Sequence, residues 1–304
     1  VNITLNLVKG GNLAWQQRKA ESFTVTPLHS GSYRLGYRTS EQYGGKKGLD
    51  GGDGISLGTA VAISGAAASP NWGYHSSPLV TFLLALFNVR LGWWLGNPGD
   101  AGARTFRMRG PSFAVGPLIE ETFGLTTDTN EYVYLSDGGH FENLGLYEMV
   151  LRRCRVIVVS DAGCDPKCEL EDLGNAIRKI RVDLGVPIEF KDGFPIYSRN
   201  GQRGKRWALG TIGYSAVDSD AQDGVLIYLK PAFYGDEPID IFNYATANLQ
   251  FPHESTLDQW FSESQFESYR MLGVYTIEQI VQELGKRDWE GTALERFVSA
   301  RPDR

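Results

Sequence analysis

We base the predicted fold on the sequence LSDGGHFENLGLYEMVLRRCRVIVVSDAG, residues 135–163. It continues an apolar run, YVYL at 132–135, that is typical of a β-strand. Within it, NLGLYEMVLRRC at 143–154 predicts a helix, and RVIVV at 155–159 is the unbroken apolar run typical of a central parallel strand. A short helical connection between two such strands predicts that they lie side by side and parallel in one sheet.

The sequence that follows extends this pattern. LEDLGNAIRKIRVDLG, residues 170–185, has apolar residues at helical spacing along one face and predicts an amphipathic helix. RWALGTIGYSAV at 206–217 and GVLIYLKPAF at 224–233 flank a polar turn and predict an antiparallel pair. We therefore predict an α/β fold: a mostly parallel central sheet flanked by helices, with an added antiparallel pair and a helical C-terminal region.

Glycine, proline and the apolar pattern organise the remainder of the chain. The predicted segments are strands within 1–26, a glycine-rich surface loop at 31–54, a helix of small residues at 55–70, an apolar helix at 77–98, and helices from about 239 onward. We predict two domains, with residues 1–238 forming the sheet domain and residues 239–304 forming a helical extension packed on it.

Composition excludes several classes of protein. A net charge of −6 and the absence of a basic patch argue against a nucleic-acid partner. No apolar stretch reaches the roughly 18 residues of a membrane-spanning helix. The chain opens in a predicted strand without an initiating Met or a signal peptide, as a piece of a longer protein would. We predict an intracellular location, either cytoplasmic or peripheral to a membrane.

Few residue types indicate a metal or a cofactor. The three cysteines are predicted to be free thiols, and the four histidines lack metal-ligand spacing. We therefore predict neither a bound metal nor a cofactor. Trp93 and Trp94 follow the apolar run LVTFLLALF at 79–87. They either pack in the core or contact a membrane surface, where tryptophan is favoured.

Two aspartates end predicted strands. Asp137 is followed by Gly138 and Gly139, which permit a sharp turn and the close approach of another group. From the residues alone, Asp137 either caps a turn or supplies a functional carboxylate at the carboxyl end of a strand. Asp161 ends the second strand and is predicted to shape a turn, and His140 is predicted to be a solvent-facing loop residue.

The segment SDGGHFENLGLYEMV, residues 136–150, resembles the Asp-Gly-Gly turn of patatin-like and cytosolic-type phospholipases. TAVAISGAAASPNWG at 59–73 is similar to the small-residue helix that lies upstream of that turn in the family. The segment at 3–27 is similar to the strand pair that precedes this helix in the family. The segments at 87–98 and 251–273 are similar to a bacterial branch of these enzymes, and the resemblance covers roughly residues 1 to 275.

The resemblance implies a lipid acyl hydrolase that uses a serine–aspartate dyad. The serine of a G-x-S-x-G elbow attacks the acyl carbonyl, and the aspartate of the Asp-Gly-Gly turn accepts or orients the serine proton. Carried over to this chain, Asp137 is the dyad acid, and Gly138 and Gly139 shape the turn beside the substrate. The implied partner is a lipid or another acyl ester.

The nucleophile is not evident in the chain. The one G-x-S-x-G is GISLG at 54–58, and the polar segment KKGLDGGD before it is unlike the buried strand that such an elbow requires. Ser56 is therefore predicted to start a helix, and Ser64 to lie within that helix. We expect the later part of a hydrolase domain, with its serine elsewhere. The alternative is a non-catalytic module that binds lipid or a partner.

Overall fold

The computed structural model describes residues 1–7, 18–45, 54–66, 92–112, 126–190, 193–196, 204–255, 258 and 260–284. The chain divides into two compact units, Val1–Gly145 and Leu146–Arg304, and each unit has its own sheet. The domain boundary predicted at residue 238 is a different division and stays a prediction.

The first unit is built on six antiparallel strands in the order β4-β3-β2-β1-β6-β5, curled into a half-barrel. The strands are β1 (Asn2–Asn6), β2 (Ala20–Val25), β3 (His29–Ser32), β4 (Gly36–Thr39), β5 (Trp93–Gly96) and β6 (Tyr132–Asp137). The unit also contains helix α1 (Leu57–Ser64) and short 3₁₀ turns at Asp100–Gly102 and Gly138–His140.

Alternation along β1 separates an apolar face from a polar one. Ile3 and Leu5 are buried in a core that includes Ala60 and Ile63 of α1. The intervening Thr4 and Asn6, on the other face, are buried as well. Because buried polar side chains are costly unless they are hydrogen-bonded, this second face requires partners for its polar groups.

The prediction of a mostly parallel α/β sheet is wrong. β6, which contains YVYL, is paired on one edge with β1 and on the other with β5, both antiparallel. The strand that contains VIVV lies in the other sheet. An apolar run predicts that a strand is buried, but it does not predict the direction of the neighbouring strand. Once β1 and β5 have satisfied both edges of β6, no edge is left for the strand that follows.

The second unit has a four-stranded sheet in the order β7-β10-β9-β8. Its elements are α2 (Leu146–Leu151), β7 (Val156–Ser160), α3 (Glu171–Leu184), β8 (Ile188–Glu189), β9 (Trp207–Ile212), β10 (Gly224–Leu229), α4 (Ile239–Ala247) and α5 (Glu263–Leu284). The predicted antiparallel pair is confirmed as β9 and β10, and the amphipathic helix is confirmed as α3. The C-terminal helices α4 and α5 agree with the predicted helical region.

β7 is parallel to β10, whereas the predicted parallel neighbour was the strand that contains YVYL, and β7 is not central. Its one neighbour among the described strands is β10, and Val158 in its middle is 49% exposed. Buried and less buried residues alternate along β7, which is the pattern of a strand with one covered face. The apolar run at 155–159 therefore marks an edge strand.

Three further segments differ from their predictions. Part of the predicted loop at 31–54 is the hairpin of β3 and β4, whose ladder uses backbone groups and needs no apolar period. Residues 93–96 of the predicted apolar helix form β5, and residues 77–91 lie outside the described residues. Helix α1 ends at Ser64, where the Gly65 N–H binds the Val61 carbonyl; the predicted end at Pro70 lies outside the described residues.

One buried cation ties the second unit together. Arg206 is 1% exposed and donates to the Ala232 carbonyl at 2.9 Å and to Gln279 Oε1 at 2.9 Å. Its Nη2 group binds the carboxylates of Asp236 and Glu237. The guanidinium thus joins β9 to α5 and to the segment before α4.

None of the described helices combines the length and the apolar content needed to cross a membrane.

Candidate functional site

Asp137 is the last residue of β6 and caps the 3₁₀ turn that follows. Its Oδ1 accepts a hydrogen bond from the Gly139 N–H at 2.7 Å, and the residue is half-buried. Within the described part of the chain, its second carboxylate oxygen has no hydrogen-bond partner, and the carboxylate forms no ion pair. The carboxylate is therefore oriented by its own turn and retains one oxygen that can accept a proton or a hydrogen bond.

The two glycines after Asp137 are required by close packing. A Cβ atom on Gly138 would lie 2.9 Å from the Asn2 carbonyl oxygen. A Cβ atom on Gly139 would lie 2.1 Å from Oδ1 of Asn143, and so would collide with it. The Asp-Gly-Gly turn is thus pressed against the start of β1 on one side and against Asn143 on the other.

Strand β1 fixes this turn from its polar face. The fully buried Thr4 hydroxyl donates to the Gly138 carbonyl at 3.1 Å and accepts from the Phe141 N–H at 3.0 Å. Both bonds reach backbone atoms of the turn, so its path is set independently of the Asp137 side chain. Sequence reasoning missed Thr4; the signal was a polar residue at every second position of an otherwise apolar strand.

A second chain of hydrogen bonds runs from β1 to His140. Asn6 Nδ2 donates to Ser136 Oγ at 2.8 Å, and Ser136 Oγ lies 2.8 Å from Nδ1 of His140. The amide nitrogen can only donate, so Ser136 Oγ accepts from Asn6 and uses its hydrogen or its second lone pair toward the imidazole. His140 is half-buried and held by this network, which differs from the predicted solvent-facing loop residue.

The two serines considered as nucleophiles both have structural partners. Ser56 Oγ accepts from the Thr59 N–H at 3.0 Å, which confirms the prediction that it starts a helix. Ser64 is the last residue of α1 rather than a mid-helix residue, and its hydroxyl donates to the Asn2 carbonyl at 2.7 Å. Since Gly138 packs against the same carbonyl, the small-residue helix and the Asp-Gly-Gly turn meet at Asn2.

Asp161, the other strand-end aspartate, is buried in the second unit. Its Oδ1 accepts from the Gly163 N–H at 2.9 Å, which confirms the predicted turn. The same carboxylate binds the Tyr228 hydroxyl and the Lys230 ammonium, and all three side chains are almost fully buried. Burial, reinforced by the hydrogen bond to Asp161, raises the pKa of Tyr228 far above its ordinary value.

The remaining candidates have structural surroundings. Cys154, Cys164 and Cys168 are free, as predicted, and burial raises the pKa of the Cys168 thiol. Among the described residues, no three His, Cys, Asp or Glu side chains are arranged to hold a metal ion. Trp94 is buried, and Trp93 is 46% exposed with its indole N–H donating to the Arg109 carbonyl.

Comparison with known proteins leaves the site to be judged on its geometry: no protein-family model matches the chain, and no curated protein sequence matches it.

Proposed function

We propose that the chain is part of a lipid acyl hydrolase in which Asp137 is the acid of a serine–aspartate dyad. The serine would come from outside these 304 residues. The proposal rests on one observation, the hydrogen bonding of the two carboxylate oxygens of Asp137. One oxygen is held by the Gly139 N–H, and the other has no hydrogen-bond partner among the described residues.

Such a carboxylate is suited to accept a proton. A dyad acid must be ionised, fixed in direction and open to the hydroxyl that it activates. The turn fixes Asp137 from the Gly139 N–H, and Thr4 fixes the turn from β1. Glycine at 139 leaves out a side chain whose Cβ atom would lie 3.1 Å from Asp137 Oδ1.

The serines near this turn support a nucleophile from elsewhere. Ser64 donates its proton to a backbone carbonyl, and Ser56 caps a helix that no described buried strand precedes. The reaction class comes from the resemblance of the Asp-Gly-Gly segment to patatin-like phospholipases. The six-stranded sheet is antiparallel, unlike the sheet expected from that resemblance, so the proposal depends on the turn and not on the fold.

The test compares the chain with a version extended upstream by its native coding sequence. Both are treated with a fluorophosphonate probe and assayed on p-nitrophenyl esters and phospholipid vesicles. We expect no stoichiometric adduct on the chain alone. We expect labelling of one upstream serine, with ester hydrolysis, in the extended protein. Stoichiometric labelling of Ser56 in the chain alone would show that the nucleophile is here after all.

Asp137→Asn in the extended protein tests the aspartate itself. The amide keeps the shape of the side chain but is a far weaker base, so hydrolysis should fall by at least about a hundredfold. Asp100→Asn, at an exposed aspartate of the same unit, is the matched control and should leave hydrolysis unchanged. Vesicle binding without any hydrolysis or labelling would instead support the non-catalytic lipid-binding alternative.

A further inference from the structure

A cavity of about 250 Å³ opens at the carboxyl ends of the parallel strands β7 and β10 in the second unit. Its wall includes Asp161, Asp165 and Lys230, together with the residues that begin α3. In sheets with parallel strands this edge is where ligands commonly bind. The volume is well above the space of one water molecule but below the roughly 300 Å³ at which most ligand sites begin, so an occupant must be small.

Lys230 is the most unusual group in the wall. The side chain is 2% exposed, and Nζ donates to Asp161 Oδ1 at 2.9 Å and to the Gly163 carbonyl at 3.1 Å. The nearest further acceptor among the described residues, Asp165 Oδ2, is 3.9 Å away, beyond hydrogen-bond distance. An ammonium has three N–H groups, so one donor of this buried lysine has no hydrogen bond from the described protein.

Several carboxylate oxygens, which accept hydrogen bonds, lie close to Gly163. A Cβ atom on Gly163 would lie 3.1 Å from Asp161 Oδ1 and 3.2 Å from Asp172 Oδ2, and 3.9 Å from Lys230 Nζ. The glycine therefore lets two carboxylates and the ammonium come close together. Asp165 accepts from the N–H groups of Glu169 and Leu170, which holds the loop that forms the cavity wall.

The charge of the wall restricts the ligand. Five carboxylates and two ammonium groups line the cavity (Asp161, Asp165, Glu169, Glu171 and Asp172 against Lys167 and Lys230). This excess of negative charge disfavours an anion such as phosphate. A buried ammonium in the wall disfavours a metal cation, and the described residues contain no cluster that would hold one. A ligand that both donates and accepts hydrogen bonds without net charge fits both conditions.

We propose that this cavity binds a small, uncharged polyhydroxyl compound, no larger than a single sugar or cyclitol ring. One ligand hydroxyl accepts from the remaining N–H of Lys230, and others donate to the carboxylates of the wall. The site lies wholly in the second unit, and the proposal does not depend on the acyl hydrolase function.

The first experiment uses saturation-transfer NMR on the whole chain with glycerol, myo-inositol and D-glucose as probes. Methyl phosphate, whose methyl protons report saturation transfer, and putrescine are the charged controls. We expect saturable transfer to at least one polyol below about 50 mM and none to either control. Failure of all three polyols, or preferential binding of methyl phosphate or putrescine, would overturn the proposal.

Variants then assign the binding to this cavity. Lys230→Met should weaken the polyol at least about tenfold, because a hydrogen bond to a charged donor is lost. The matched control is Lys205→Met, since that lysine pairs with Glu283 on the surface. Because Lys230→Met leaves Asp161 buried without its cation, the double variant Asp161→Asn with Lys230→Met is the second test, and it should show the same loss. Unchanged affinity in a folded variant contradicts the assignment.

A third experiment uses the unaltered protein, so its result does not depend on whether a variant folds. The exposed Cys164 lines the cavity. Its alkylation by iodoacetamide, followed by peptide mass spectrometry, should slow about fourfold at a polyol concentration three times the dissociation constant. Alkylation of Cys154, which is not in the wall, serves as the internal control. A polyol that binds without protecting Cys164 is bound elsewhere, and the proposal fails.

Discussion

Asp137 and Asp161 occupy the same place in nearly the same local sequence, Ser-Asp-Gly-Gly in one and Ser-Asp-Ala-Gly in the other. Each aspartate lies at the end of a strand and accepts from the N–H of the glycine two residues later, at 2.7 Å and 2.9 Å. Beyond that bond they differ. Asp137 is half-buried with one oxygen unpartnered among the described residues, whereas Asp161 is 2% exposed and paired with Lys230.

The direction of the neighbouring strand explains the difference. β10 runs parallel to β7, so its carboxyl end lies beside that of β7 and brings Tyr228 and Lys230 to Asp161. β1 runs antiparallel to β6, so the residue opposite Asp137 is the apolar Ile3 near the start of its strand. The local sequence sets the turn, and the strand partner decides whether the carboxylate is neutralised or left available.

The largest effect should come from removing the cation of Asp161. Lys230→Met leaves a buried carboxylate without its counter-charge and should lower the free energy of unfolding by about 3–5 kcal/mol. Lys205→Met, at the half-exposed pair with Glu283, should cost less than about 1 kcal/mol. Urea unfolding followed by circular dichroism measures both. Equal costs for the two variants would mean that Asp161 and Lys230 do not form a buried ion pair.

The next effect is steric and concerns the Asp137 turn. Gly139→Ala places a Cβ atom against Asn143 Oδ1 and should destabilise the first unit by about 1–3 kcal/mol. Combining it with Asn143→Gly removes the colliding atom and should restore part of that loss. Thermal unfolding of the two variants, compared with Asn143→Gly alone, measures this coupling. No recovery in the double variant would contradict the collision.

Sequence reasoning was sufficient for features set by local residues. The β9–β10 pair, α3 and the turn at Asp161 follow from apolar periodicity and from turn residues within a few positions. The polarity pattern of YVYL, in contrast, does not indicate which strands flank it or in which direction they run. Lys230 is 69 positions from Asp161, so their contact becomes predictable only once β7 and β10 are known to be parallel.

The same limit applies to the polar face of β1. Thr4 and Asn6 alternate with apolar residues, a pattern that normally indicates a solvent-exposed face. In the structure both are buried, because they bind the Asp-Gly-Gly turn and Ser136, which are more than 120 positions away. The turn itself was predictable from Asp137, Gly138 and Gly139, whereas the strand that supports it was not.

A smaller effect on stability should depend on pH and should come from His253 in the second unit. Desolvation by burial, followed by the nearby charge of Lys230, lowers the pKa of His253; Asp165 and Asp161 oppose this shift. His253 Nδ1 accepts from the Asp165 N–H at 3.3 Å, which requires the neutral ring. The unfolded chain therefore binds the proton more readily. Stability from this group is complete above the unfolded value of about 6.5 and declines as the pH falls from there toward the folded pKa.

Unfolding measured between pH 7.5 and pH 5 tests this expectation. The protein should lose stability over that range through His253, because the unfolded chain takes up the proton first. His253→Gln, which cannot take up the proton, should remove that part of the dependence, and His29→Gln is the matched control at an exposed histidine. An unchanged slope in His253→Gln would assign the pH dependence to other groups.

The smallest effect on stability should come from Asp137→Asn. The amide oxygen can still accept from the Gly139 N–H, and no described ion pair is lost, so the free energy of unfolding should change by less than about 0.5 kcal/mol. Asp161→Asn should cost about 2 kcal/mol or more, because Lys230 then stays buried without a negative partner. Urea unfolding of the two variants compares the same chemical change in the same turn. A large loss for Asp137→Asn would show that its carboxylate stabilises the fold, and any loss of hydrolysis in that variant could then be structural. A negligible loss, together with the expected loss of hydrolysis in the extended protein, would leave proton transfer as the role of the charge.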